Sequence, residues 1–388
     1  MVEMNYMTSF ESFDLDFTVL RGLYTYGFTD PSTVQMKAIP AILSGRDVII
    51  QSPSGTGKTG AFCISVLEKV VRKGPAALGV TVILCPTREL AIQTFHVMEK
   101  MAQFVEWAHT GLCIGGCPRS ETVSQTKNAK IIVATPGRLL DILSSVHAEP
   151  SITTLVIDEA DEMLSKGFID QIHDIISSFT RTDAQIALFS ATFELDSTRS
   201  ILQKFMNDPL MIQCSLATNS TTGHHQVHVD AIRQYHIQVR DDSDKFNMLM
   251  DLYASLEIGQ AIVYASNKIR VVKLASRLRD HGHAVGVLHS NLSQIERTQV
   301  LADFKAANIR VLVSSDLIAR GMDIVSVNMV INYDFPTNFE NYIHRIGRCG
   351  RFHRNGMAIT LVTGQEMKLL EQLADHYSMD PIEEFTLD

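Results

Sequence analysis

The sequence has little that would tie it to a secreted, membrane-bound or metal-stapled class. Its six cysteines, at 63, 85, 113, 117, 214 and 349, include no Cys-x2-Cys pair. That excludes the usual zinc-ligand spacing, and most lie in apolar stretches, so buried reduced thiols are expected. No apolar run approaches the roughly 20 residues needed to cross a bilayer. The first residues carry acids rather than a basic-then-apolar leader, so the expectation is a soluble protein with no membrane partner. Basic excess is missing too: 34 Lys and Arg stand against 43 Asp and Glu, a net charge of −9. This argues against a broadly basic nucleic-acid coat but leaves room for a local basic groove, because summed charge says nothing about its distribution. Low-complexity tracts and short-period repeats are also absent.

What is present is ordinary globular usage, 45% apolar and 20% charged, over 388 residues, a length comfortable for two cores. Residues 1–47 read as mostly helical, with a break at Gly27 and Pro31. Strand-like apolar runs then recur at 47–51, 80–85, 130–134, 154–157 and 186–189, each separated by room for a helix. The rhythm restarts at 261–264, 284–288, 310–313, 329–332 and 358–362. This is the α/β signature of mostly parallel sheets flanked by helices. Between the two series, residues 219–229 are polar and unpatterned and read as a linker. The expected domains are therefore 1–218 and 230–388. His224, His225 and His228 fall in the linker with no matching ligands, and read as solvated.

Two stretches carry chemistry. The apolar run Val48-Ile49-Ile50 leads into Ser52-Pro53-Ser54-Gly55-Thr56-Gly57-Lys58-Thr59, and a helical pattern follows. Strand, glycine loop and helix in that order form a phosphate-binding P-loop: backbone amides of Ser54, Gly55, Thr56, Gly57 and their neighbours can surround a phosphate at a helix N-terminus. Lys58 can reach the β- and γ-phosphates, and the Thr59 hydroxyl can bind Mg²⁺. Ser52 is small enough to be tolerated, while Pro53 offers no N–H, so the cradle relies on later amides. The second stretch, Leu155-Val156-Ile157, ends in Asp158, Glu159 and Asp161. In a parallel sheet, strand carboxyl ends are where ligands bind. Asp158 would hold Mg²⁺ and Glu159 would orient or deprotonate an attacking water. An ordinary strand end or helix cap is the blander reading for three acids alone; a P-loop upstream favours the catalytic one.

Other strands end in hydroxyls, glycines and arginines: Pro86-Thr87-Arg88, Thr135-Pro136-Gly137-Arg138, Ser190-Ala191-Thr192 and Ser314-Ser315-Asp316. With Phe28, Gln35, Gly115-Gly116, Gln294-Ile295-Glu296-Arg297, the stretch Ala319–Asp323 and the stretch His344–Arg351, the set resembles the DEAD-box ATP-dependent RNA helicases over nearly the whole chain. The acidic motif is literally Asp-Glu-Ala-Asp. Details around Leu20–Phe28 and Asn341–Arg348 look most like the translation initiation factor 4A branch.

The resemblance implies two tandem RecA-like domains and an enzyme that hydrolyses ATP, with Mg²⁺, on binding RNA. Closure of the two domains would bend and locally unwind short duplexes; the alternative is an ATP-gated RNA clamp or assembly scaffold acting with protein partners. It implies that Gln35 reads adenine, with Phe28 stacked on the ring and Phe10 behind it, and that Asp323 contacts the ribose. Arg348 and Arg351 would neutralise charge on the γ-phosphate. Asp161, Ser190, Thr192 and His344 would couple the domains. Thr87, Arg88, Gly116, Thr135, Gly137 and Arg138 in the first domain, with Arg297, Ser315 and Asp316 in the second, would meet the RNA backbone, giving little sequence preference. The ligand would be single-stranded or weakly paired RNA. A helical-repeat scaffold protein is the expected partner of a monomer, with a cytoplasmic location and a nuclear one left open.

Overall fold

The computed structural model describes residues 9–53, 55–144, 151–165, 167–191, 205–214, 232–316, 327–349, 356–377 and 379–386. The expected linker 219–229 and the site residues Ser54, Thr192, Asp323 and Arg351 lie outside the described residues. The chain divides into two compact units, residues 1–214 and 215–388.

In the first unit, β1 (Val48–Gln51), β2 (Val80–Leu84), β3 (Thr110–Cys113), β4 (Ile131–Ala134), β5 (Ile152–Ile157), β6 (Thr180–Ser190) and β7 (Leu210–Gln213) form one sheet in the order β3-β4-β2-β5-β6-β1-β7. All its pairings are parallel. Continuous apolar strands suit a sheet covered on both faces, and the period of two divides them between layers. Val48 and Ile50 enter one cluster with Ile83 and Val133, whereas Ile49 enters the other with Val82, Leu84 and Leu155. Each such buried aliphatic side chain contributes roughly 1.5–3 kcal/mol.

Before β1, helix Phe17–Tyr26 is capped by Asp16, whose Oδ1 accepts from Thr18 N at 2.8 Å, and stops at Gly27, where φ is 111°. Only glycine adopts that conformation without strain. Helix Thr33–Leu43 then starts from a reciprocal capping box of Ser32 and Gln35. The break expected at Gly27 and Pro31 is this pair of caps.

The second unit repeats the plan with β8 (Ile232–Gln238), β9 (Ala261–Tyr264), β10 (Val285–Leu288), β11 (Val311–Ser314), β12 (Met329–Asn332), β13 (Gly356–Val362) and β14 (Glu383–Glu384), in the order β10-β11-β9-β12-β13-β8-β14. Alternation again splits the strands, Ile262 and Tyr264 to one cluster, Ala261 and Val263 to the other. Both units are RecA-like layers of helix, parallel sheet and helix. Four strands go beyond the sequence reading. β3 has a single large apolar residue, β8 is only intermittently buried and β14 is a short exposed edge, so none of these three offers the solid apolar run that marks a central strand. β7 does carry such a run, Leu210-Met211-Ile212, but as a half-exposed edge, and the sequence reading passed over it.

Candidate functional site

The carboxyl edge of the first sheet collects the chemistry-bearing residues. Helix Lys58–Lys73 leaves the glycine loop through Gly57, at φ 102°, after Gly55 at φ 80°. The loop is folded on itself: Lys58 Nζ donates to the Ser52 carbonyl at 2.8 Å, and Thr56 Oγ1 donates to the Pro53 carbonyl at 2.8 Å. Ser52 Oγ lies 2.6 Å from Thr56 Oγ1, so a hydroxyl at 52 has a partner in the loop. Ser52 N–H donates to the Ser190 carbonyl at 3.0 Å, which ties the loop to the end of β6.

β6 stands between β1 and β5, so the glycine loop and the acidic triplet are one strand apart. Asp158 N–H donates to the Leu84 carbonyl at 2.9 Å, and Asp158 Oδ1 accepts from Glu159 N–H at 3.0 Å. Glu159 has φ 48°, uncommon for a side chain of its size and a form of strain that clusters at functional sites. Both carboxylates are buried, and Glu159 Oε2 has no hydrogen-bond partner among the described residues. Burial first, and then the Glu159 charge, push the Asp158 carboxyl up to about 7, against the opposing pull of the Lys58 ammonium. A buried oxygen without a donor among the described residues, beside a carboxylate held toward neutrality, suits a bound cation. With the half-buried Thr59 of the first turn of helix Lys58–Lys73, the candidate donors are all oxygen, the preference of Mg²⁺.

Cys63 and Cys85 lie deep in this core, where burial raises both thiols well above their usual range. All six cysteines are free thiols, and Cys117 is the exposed one.

Gln35 is buried and fully engaged: its Oε1 accepts from Ser32 N–H at 2.9 Å and its Nε2 donates to the Gly57 carbonyl at 3.3 Å. The residue expected to read a base is therefore bonded to the glycine loop. Phe28 stacks on Tyr26 with centroids 5.4 Å apart and meets Phe10 edge-on at 6.0 Å. A Cβ on Gly60 would stand 2.8 Å from the Phe28 ring, so glycine is needed there for Phe28 to lie against the start of helix Lys58–Lys73.

At the other end of the same edge, the adjacent strands β3, β4 and β2 bring the remaining first-domain candidates together. Thr87 caps helix Arg88–Ala102, its Oγ1 accepting from Leu90 N–H at 3.2 Å. The Arg88 guanidinium lies over Gly115 and Gly116; a Cβ on Gly116, at φ 96°, would meet Arg88 Nη1 at 2.8 Å. Arg138 Nη2 donates to the Cys117 carbonyl at 3.1 Å. Thr135 begins helix Pro136–Leu143 without using its side chain as a cap, and Gly137 is in that helix's first turn.

In the second unit, Arg297 Nη2 donates to the Ser290 carbonyl at 2.9 Å, and Ser315 is buried beyond β11, its N–H on the Leu288 carbonyl at 3.4 Å. The Asp316 carboxylate is held by Arg345, through Nε and through Nη2 at 2.8 Å, and by Asn341 Nδ2 at 3.3 Å. Arg345 is 2% exposed and also donates to Asn332 Oδ1 at 3.2 Å and the Asp334 carbonyl at 2.7 Å. Losing one partner of such a buried pair leaves a stranded charge and costs roughly 3–5 kcal/mol. The sequence reading passed over Arg345; its signal was its place beside His344 and three residues before Arg348, in helix Phe339–Ile346. His344 and Arg348 are both buried, Arg348 just past the helix with its N–H on the Arg345 carbonyl at 3.1 Å.

A P-loop facing paired strand-end acids on a RecA-like sheet, with a second sheet of the same plan, defines a nucleoside triphosphatase of the two-domain motor class. Two family models match in sequence order, the DEAD/DEAH box helicase over residues 32–201 and the helicase conserved C-terminal domain over residues 244–353. The chain belongs to the DEAD-box family of ATP-dependent RNA helicases, and is an RNA-dependent ATPase. A probable eukaryotic initiation factor 4A of Trypanosoma brucei brucei is 40% identical over 385 residues, 98% of this chain and 92% of that protein. The ATP-dependent RNA helicase FAL1 of Candida albicans is 40% identical over 372 residues, 95% of this chain and 90% of that protein. Among solved structures, S. cerevisiae Dbp5 bound to RNA and ADP BeF3 matches with a TM-score of 0.85 at 34% identity, covering 98% of this chain and 96% of that one.

Proposed function

We propose that the chain couples ATP hydrolysis to the local opening of short RNA duplexes. The observation that carries this is the strand order β3-β4-β2-β5-β6-β1: one sheet edge runs from a strip of arginines, glycines and hydroxyls, past the acids, to the phosphate loop. On this reading Lys58 exchanges the Ser52 carbonyl for phosphate oxygens, and amides from Gly55 to Thr59 surround the β-phosphate. Thr59 and Asp158 would hold Mg²⁺, which supplies charge neutralisation at the phosphates. Glu159 orients the water and takes its proton. Gln35 turns from Gly57 to the adenine edge, so base recognition also reports on the glycine loop.

Thr87, Arg88, Gly116, Thr135, Gly137 and Arg138 hold the RNA backbone, joined by Arg297 and Ser315 of the second domain. Asp316, bonded to Arg345, joins them as an acceptor for a ribose 2′-hydroxyl. Arg348 and Arg351 complete the ATP site when ATP and RNA draw the domains 1–218 and 230–388 together. Asp161, Ser190, Thr192 and His344 couple that closure to the RNA, and Asp323 meets the ribose. The relatives named as initiation factor 4A support a role in translation initiation; on this reading the chain acts as a monomer in the cytoplasm, with a helical-repeat scaffold protein as partner.

Release of a short RNA duplex, measured beside RNA-stimulated hydrolysis with ATP, GTP, UTP and CTP, tests this. Strand release with turnover is expected to be far better with ATP than with GTP, UTP or CTP, because losing one bidentate base contact costs about 1–3 kcal/mol. Equal rates with all four nucleotides would remove Gln35 as the base reader. Stable trapping of RNA without strand release would favour the clamp.

A further inference from the structure

We infer that Tyr264 is a positioning residue for Arg348: its hydroxyl accepts a hydrogen bond from the Arg348 guanidinium and sets the direction in which that fork meets the γ-phosphate. The inference rests on the proposal that Arg348 completes the ATP site. Tyr264 ends β9, the strand between β11 and β12, in register with Ser314 on one side and Asn332 on the other. It is fully buried, and its hydroxyl has no hydrogen-bond partner among the described residues. Such a group is costly in a native core and generally has a role that accounts for it. Phenylalanine would fill the same space without that cost.

The surroundings narrow what the oxygen is for. Arg345 lies over the ring, its Cζ 5.1 Å from the centroid, but its guanidinium is committed elsewhere: Nε and Nη2 to Asp316, Nη1 to Asn332 Oδ1 and the Asp334 carbonyl. The Cys349 thiol donates to the Ile346 carbonyl at 3.0 Å. The charges that bear on the hydroxyl are, in order, those of Arg348, Arg345 and Asp316. Burial holds the phenol above its usual range, so it stays neutral, and its oxygen is an acceptor set among cations. A guanidinium carries five donors in a planar fork, so Arg348 can bond to the phenol and still present a pair to phosphate oxygens. The backbone at 348 is already fixed on both sides, its N–H on the Arg345 carbonyl at 3.1 Å and its carbonyl accepting from Val327 N–H at 3.2 Å. What remains to be set is the direction of the side chain. An acceptor built into the end of a central strand sets it in advance, so that charge developing on the phosphoryl group is met without reorganisation.

The test uses the full chain with saturating single-stranded RNA and two readouts. One is single-turnover ATP hydrolysis; the other is affinity for ADP with aluminium fluoride, a mimic of the transferring phosphoryl group. Tyr264→Phe keeps the ring under Arg345 and removes only the oxygen. It should lower the hydrolysis rate and the affinity for the aluminium fluoride complex by about ten- to hundredfold, the worth of a hydrogen bond to a charged group. Affinity for ADP alone and for RNA alone should stay at the parent's values, which also reports that the variant is folded. A residue that acts through Arg348 adds nothing once Arg348 is gone. Tyr264→Phe should therefore leave the aluminium fluoride affinity of Arg348→Ala unchanged. Hydrolysis by Tyr264→Phe at the parent's rate, or a parallel loss of ADP and RNA affinity, would make Tyr264 a core residue and overturn the inference. An equal loss in the parent and in Arg348→Ala would overturn it too, by placing the effect of the oxygen elsewhere. Arg348→Ala separates the two levels of the reading: parental affinity for the aluminium fluoride complex in that variant would overturn the placement of Arg348 in the ATP site, and the Tyr264 assignment with it.

Discussion

Glu159→Gln retains nucleotide and RNA affinity while hydrolysis falls by about 10²–10⁴, the usual worth of a positioned general base. The amide preserves shape and cannot take a proton. The local structure explains why so much rests on this side chain: the backbone at φ 48° commits it to one direction, and its Oε2 has no other hydrogen-bonded role among the described residues. Single-turnover hydrolysis at saturating ATP and RNA is the appropriate measurement, because it excludes product release. A variant that kept most of the parent's rate would show that another group activates the water.

Arg348→Ala should be at least as severe. Arginines that neutralise charge on a transferring phosphoryl group are worth roughly 10³–10⁵ in rate, and that stabilisation arises in the transition state, so nucleotide affinity should change much less than turnover. The residue lies one position beyond Gly347, the C-cap of helix Phe339–Ile346, and Arg345 in that helix is anchored to Asp316, Asn332 and the Asp334 carbonyl. An arginine with so firmly held a neighbour is presented from a rigid base, which favours a fixed geometry over a mobile surface charge. Arg348→Lys distinguishes fork from charge: lysine supplies the charge without the planar donors, so a rate close to that of Arg348→Ala is expected. Parallel loss of nucleotide affinity and turnover in both variants would instead place Arg348 in ground-state binding.

Much of this was legible in the sequence because central parallel strands are apolar on both faces and end where ligands bind. The runs at 261–264 and 329–332 coincide with β9 and β12 to the residue. The edge strands were missed for different reasons: Thr110–Cys113 has no apolar run of its own and takes its order from neighbours far away in sequence, whereas Leu210–Gln213 carries a Leu-Met-Ile run that the sequence reading passed over. In the site, motifs placed residues but could not tell which were already spent. No motif announces that Asp316 is bonded to Arg345 or that the Gln35 amide is bonded to the Gly57 carbonyl.

The central claim is that this ATPase site is split between two domains, with Lys58, Thr59, Asp158 and Glu159 in one and Arg348 in the other. Both hydrophobic clusters of the first unit close among residues 10–214, so residues 1–218 are expected to fold alone. The most direct measurement compares the ATPase rate of that fragment with the full chain, each with and without single-stranded RNA. The account predicts weak nucleotide binding and negligible hydrolysis in the fragment, unmoved by RNA, against RNA-stimulated turnover in the full chain, where RNA favours the closed population. RNA-stimulated hydrolysis by the fragment at the full-length rate would contradict it.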